Sequence, residues 1–127
     1  MTKTVLLVDY DPRSIDAIRR TLAKLRVQTV LATDGEAGER EFHRMRPDLT
    51  LVQEIIPKKR GVDLCRELKS SARGAHHPVI LLAVPREGSR YRLLASRCDD
   101  VIEKPFDEQT LIAKVRKFLP DLTSSAA

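Results

Sequence analysis

The stretch that most constrains this chain is Val79-Ile80-Leu81-Leu82-Ala83-Val84, an unbroken apolar run behind Pro78. A strand wetted on one face alternates apolar and polar residues. A strand that is apolar at every position has to be covered on both faces. That is the situation of a central strand in a parallel sheet with helices above and below it. The rest of the chain offers suitable neighbours. Thr4-Val5-Leu6-Leu7-Val8, Val27 to Ala32, Leu49-Thr50-Leu51-Val52 and the short Val101-Ile102 all read as strands.

Helical patterns separate them. Asp11 is placed to cap a helix whose first residue is Pro12. Ile15, Ile18, Leu22 and Leu25 then recur at helical spacing, while Arg19, Arg20 and Lys24 face away. Thr33-Asp34-Gly35 reads as a turn, and a weaker helix from about Glu36 to Arg46 carries Gly38, Phe42 and Met45 on one stripe before Pro47 ends it. Gly61 opens a third helix with Leu64, Cys65 and Leu68 inward. A fourth, from about Glu87 to Arg97, aligns Tyr91, Leu94, Ala95 and Cys98. The last begins with Asp107 and Glu108, buries Leu111, Val115, Phe118 and Leu119, and ends with Lys114, Arg116 and Lys117, charges suited to its dipole. Five β–α repeats predict an α/β fold: a doubly wound three-layer sandwich on a five-stranded parallel sheet, in the flavodoxin-like order 2-1-3-4-5. One domain over residues 1–120 with a short tail at 121–127 accounts for the 127 residues. In such sheets the functional crevice lies at the carboxyl ends of the strands. Those ends deliver Asp9 and Tyr10, then Gln53, Ala83 and Lys104.

Composition removes several function classes. Hydrophobic residues make up 42% and charged residues 32%, a globular balance. No apolar run reaches the ~20 residues that span a bilayer. Met1-Thr2-Lys3 runs straight into the first strand without a secretory core segment, so a cytoplasmic protein is expected. Cys65 and Cys98 stand far apart without metal spacing and read as reduced core thiols. The net charge of +5 raises the question of nucleic acid. But the basic residues are spread over every helix, aromatics are only 4% and no binding motif accompanies them, so nucleic-acid binding is not expected. No Ser/His/Asp, Cys/His or paired-carboxylate set converges at the strand ends, which disfavours a hydrolase. His76-His77 read as loop residues at the opposite end of the sheet. Lys58-Lys59-Arg60 reads as a solvated loop, or else as an anion or partner-docking patch.

The strand ends are also where the sequence resembles the receiver domain of bacterial two-component response regulators, over about Lys3 to Leu119. The resemblance rests on Val5-Leu6-Leu7-Val8-Asp9, Pro47-Asp48-Leu49, Pro57 with Gly61 behind it, Pro78-Val79-Ile80 and Lys104-Pro105-Phe106, all in order and at matching intervals. It implies a crevice in which an aspartate ending the third strand takes a phosphoryl group from a phosphohistidine. Two acidic residues after the first strand join that aspartate in holding Mg²⁺, a hard cation that wants oxygen ligands. A Ser or Thr after the fourth strand and a Lys after the fifth complete the set.

Here the set is incomplete. The acceptor position, four residues before Pro57 and eight before Gly61, is Gln53. The acidic pair is Asp9-Tyr10, and the hydroxyl position is Ala83. Asp9 and Lys104 remain, and are expected to form an ion pair. Tyr10 is expected as a lid over the crevice or as a ligand. An amide has no carboxylate nucleophile, and one carboxylate is a poor holder of Mg²⁺, so metal binding is expected to be weak or absent, with Asp9 its single candidate. Glu54 is an alternative acceptor, although strand alternation turns it away from Gln53. Asp11 is a possible substitute ligand, but capping accounts for it more simply. The expectation is a pseudo-receiver, not an enzyme, that acts by protein–protein contact with a histidine kinase or another response regulator. It could also form a homodimer through the fourth helix, fifth strand and fifth helix. That face would present Arg90, Arg97, Asp99, Asp100, Lys114 and Lys117.

Overall fold

Apolar strands stay dry only if both sheet faces are covered, and the arrangement that does this is seen in a computed structural model describing residues 2–85 and 96–122. β1 (Thr4–Val8), β2 (Gln28–Ala32), β3 (Leu49–Gln53), β4 (Val79–Ala83) and β5 (Asp100–Glu103) form one parallel sheet in the order β2-β1-β3-β4-β5, the order expected. α1 (Pro12–Lys24) and the C-terminal helix (Glu108–Phe118) cover one face; α2 (Gly35–Met45) and α3 (Gly61–Ser70) cover the other. The pleat distributes the side chains: Val5 and Leu7 join the first layer, Leu6 and Val8 the second. All five residues of β4 are buried, as its composition requires. Among the described residues, no helix is long and apolar enough to cross a membrane.

The helix starts follow from side-chain caps. Asp11, Asp34 and Asp107 accept from the backbone N–H groups of Arg13, Ala37 and Thr110 at 3.2, 2.7 and 2.8 Å. Because Asp34 captures the Ala37 N–H, α2 begins at Gly35 rather than Glu36. It closes at Met45, with Arg46 left-handed (φ 52°) before Pro47. α3 has no side-chain cap. Its first residue, Gly61, instead sits against the end of β3 and donates to the Glu54 carbonyl at 2.9 Å. A Cβ on Gly61 would lie 2.1 Å from the Gln53 carbonyl oxygen, so close approach of the two backbones is what demands glycine.

Three further points depart from the sequence reading or lie beyond the structure. Phe118, expected inward, is only partly buried, whereas Leu111, Val115 and Leu119 are buried. His77 is more than a loop residue. Its Nε2 lies 2.8 Å from the hydroxyl of the buried Thr50, and its ring packs edge-on against Phe42 at 4.9 Å. A hydroxyl buried in a strand needs a partner, and the ring supplies one. The helix expected at about 87–97, with Arg90, Tyr91, Leu94 and Ala95, lies almost wholly outside the described residues, as does 123–127. Cys65 is buried, Cys98 is half-buried, and both are free thiols. Burial raises both thiol pKa values, which keeps them protonated and unreactive.

Two outcomes follow for stability. Gly61→Ala should lower the unfolding free energy by about 1–3 kcal/mol in urea titration, despite alanine's better helix propensity, because the added methyl forces β3 and α3 apart. Burial, then the charges of Lys69 and Arg73, push the His77 pKa down to about 4 from its ordinary 6.5. Between those values the unfolded chain binds the extra proton, so His77's contribution is complete above about pH 6.5 and is lost as pH falls towards 4. Melting curves across that window should show stability rising with pH, with a shallower slope in His77→Phe.

Candidate functional site

Parallel pairing sets the crevice. Val8 is opposite Val52 in the β1–β3 register, so the next residue of each strand, Asp9 and Gln53, emerge side by side. Gln53 is opposite Leu82, and Ala83 is opposite Glu103, with the Lys104 N–H donating to the Ala83 carbonyl at 2.8 Å. Asp9, Gln53, Ala83 and Lys104 therefore do end adjacent strands.

Asp9 and Gln53 are 1% and 3% exposed. The Gln53 Nε2 donates to Asp9 Oδ2 at 3.0 Å and to Ser14 Oγ at 2.8 Å. The other oxygen of Asp9 accepts from the Asp11 backbone N–H at 3.1 Å. A carboxylate only accepts hydrogen bonds, so the amide must turn its NH₂ towards Asp9, and both its hydrogens are then used. Ser14, in the first turn of α1, was not singled out by sequence. A serine within capping distance of a helix start carries no signal that it will receive a bond from a residue 39 positions away.

The expected ion pair between Asp9 and Lys104 is not formed. Asp9 already has a donor on each oxygen, and among the described residues Lys104 makes no ion pair. Lys104 instead lines a groove of about 510 Å³ with Pro105, Phe106 and the first turns of α1, including Arg13 and Ala17. Tyr10 is 49% exposed and contributes no carboxylate. Asp11 is occupied as the cap of α1. Ala83 is buried without a hydroxyl, and the N–H of the next residue, Val84, donates at 2.9 Å to Glu54 Oε1. Glu54 is itself 4% exposed and turned from Asp9 towards the β4 end.

The donor set does not suit Mg²⁺. Asp9 is the one carboxylate beside Gln53, both its oxygens face N–H donors, and no group of three metal-ligating side chains occurs among the described residues. Turning the Gln53 carbonyl inward to face a cation would set oxygen against oxygen and break both hydrogen bonds that the amide donates.

The Lys58-Lys59-Arg60 run is not a free anion patch. Lys59 reaches Glu39 of α2 at 2.6 Å and also Glu67 of α3, bonds that raise its own pKa and lower that of Glu39. Arg60 bonds Asp63 at 2.9 Å, and Lys58 lies 3.8–3.9 Å from Glu36 and Asp34. The suggested partner face also differs from expectation. Asp99 turns to Lys69 of α3 (2.9 Å) and to the Val79 N–H, so it belongs to the other side of the sheet. Asp100 is taken up within the chain by Lys114 and Lys117, each at 3.0 Å. Burial pushes the Asp100 pKa up, but the Val101 N–H and the two lysines outweigh it and hold the carboxyl below its ordinary value. Arg97 is exposed; Arg90 is outside the described residues.

Comparison with known proteins agrees with this geometry at the level of family. The family model for the response regulator receiver domain matches residues 5–116. The DNA-binding dual master transcriptional regulator RpaA of Synechocystis is 30% identical over 116 residues, covering 91% of this chain and 48% of that protein. The DNA-binding response regulator MtrA of Mycolicibacterium smegmatis is 31% identical over 117 residues, covering 91% and 50%. The chain thus spans about half the length of the curated relatives it matches. Among solved structures, the signal receiver domain of a histidine kinase from Syntrophus aciditrophicus superposes with a TM-score of 0.89 at 28% identity, covering 99% of this chain and 98% of that one. The receiver domain of a sensor histidine kinase from Pseudomonas aeruginosa, with magnesium coordinated in its active-site cleft, gives 0.85 at 25% identity, covering 95% and 100%. The chain belongs to the response regulator receiver domain family, the signalling module of two-component systems.

Proposed function

We propose that this domain is a pseudo-receiver: a cytoplasmic receiver that takes no phosphoryl group at position 53 and signals through protein–protein contact. The observation that carries the reading is the Gln53 amide at the end of β3, donating to the carboxylate beside it. An amide nitrogen, its lone pair delocalised into the carbonyl, is no nucleophile towards a phosphohistidine, and without a carboxylate the side chain forms no acyl phosphate. Ala83 in place of a hydroxyl leaves a phosphoryl oxygen without its usual hydrogen-bond partner. The alternative acceptor, Glu54, is less favoured because its carboxylate is buried and bonded to the Val84 N–H.

The partner of such a domain is a histidine kinase or another response regulator. A second copy of this chain, bound through the β5 and C-terminal-helix face, is the other candidate. On that face Lys114 and Lys117 hold Asp100 within the chain, so pairing there would draw on exposed Arg97 and on apolar contact rather than on these three charges. Direct DNA binding is not part of the proposal. The relatives named as DNA-binding are about twice as long, and the described basic loop is matched by acids.

The test is incubation with a small phosphodonor such as acetyl phosphate in the presence of MgCl₂, followed by intact-mass measurement. No phosphoryl adduct is expected on the wild-type chain, while a conventional receiver treated in parallel gains one. A stable adduct on this chain, wherever it maps, would end the proposal.

A further inference from the structure

We propose that the Gln53 carboxamide replaces the divalent cation of the receiver crevice, so that hydrogen bonds rather than metal hold β1, β3 and α1 together at this end of the sheet. The inference rests on the reading of position 53 as the former acceptor position, and goes beyond it by giving the replacing residue a structural task.

Three observations carry it. The amide spans three elements: Gln53 ends β3, Asp9 follows β1, and Ser14 lies in the first turn of α1. Its NH₂ presents the positive end of a dipole to the Asp9 carboxylate at 3.0 Å, where a cation would otherwise meet that charge. The carboxylate is 1% exposed, so water does not offer the same compensation, and Lys104 supplies no ion pair either. A buried anion without a partner is strongly unfavourable. The donors from Gln53 and from the Asp11 backbone are what allow Asp9 to stay where the β1 register puts it. Gln53 is therefore a positioning residue, and the state it stabilises is independent of metal.

Melting temperature against MgCl₂, with EDTA as the zero point, tests this on the whole chain and two variants. The wild type should show no shift up to millimolar Mg²⁺. Gln53→Asp sets a second carboxylate beside Asp9. It should melt below the wild type in EDTA and recover by roughly 3–6 °C once Mg²⁺ exceeds its Kd about tenfold. Gln53→Met, similar in length but without donors, should melt lower in EDTA and gain nothing from Mg²⁺, which separates loss of packing from loss of charge compensation. A wild-type rise matching that of Gln53→Asp would overturn the proposal, as would variants as stable as the wild type in EDTA. If neither variant folds, the wild-type titration decides alone. Failure here is distinct from failure of the functional reading. A phosphoryl adduct on the wild type with no Mg²⁺ shift would remove the pseudo-receiver and leave the amide brace. A Mg²⁺ shift without an adduct would do the reverse.

Discussion

A carboxylate withdrawn from water at the end of a central strand has to be matched by something positive, and the crevice of this domain is organised around how that is done for Asp9. The β1–β3 register fixes its position. Its two oxygens are taken by a side-chain amide and a backbone N–H. Once Gln53 is committed to Asp9, its second hydrogen is directed to Ser14, tying α1 to the sheet. Lys104 is then left to line the neighbouring groove. The contacts of Gln53, Ser14 and the Asp11 backbone are thus set by how this one carboxylate is met.

The same economy applies on the other side of the β3 end. Glu54, adjacent in sequence, turns the opposite way and closes the backbone of the residue after β4. Gly61 packs its bare Cα against the Gln53–Glu54 peptide. The short segment from Gln53 to Gly61 is therefore held by a side chain at each of its first two residues and by a glycine at its end. In a family whose members share this layout, the geometry can persist while the chemistry at one position changes. Close packing constrains backbones more strongly than it constrains the identity of a single polar atom.

The surface charges show how much can be misjudged when residues are counted without their neighbours. The Lys58-Lys59-Arg60 run looks like a basic patch in one dimension. In space each member meets acids from α2, from the turn before it or from α3, and the local field largely cancels. Asp99 and Asp100 are neighbours in sequence yet serve opposite layers, one reaching Lys69 and the other Lys114 and Lys117. Alternation at the start of β5 separates them.

The sequence alone determined the sheet order, the five strands, the four helices among the described residues and which residues end the strands. Those depend on local periodicity, on caps such as Asp11 and Asp107, and on a β4 run apolar at every position, and all of these are written in contiguous residues. It also put Gln53, Tyr10 and Ala83 at the ends of strands, where the resemblance leads one to expect site residues. Only the tertiary structure decided the partners: Ser14 rather than Lys104 in the Asp9–Gln53 set, His77 against Thr50 and Phe42, and Asp100 of β5 closed by Lys114 and Lys117 of the C-terminal helix. The reason is physical. Periodicity reports which face of an element is buried. A hydrogen bond depends on the positions of two atoms to within a few tenths of an ångström, set by strands and helices far apart in the chain.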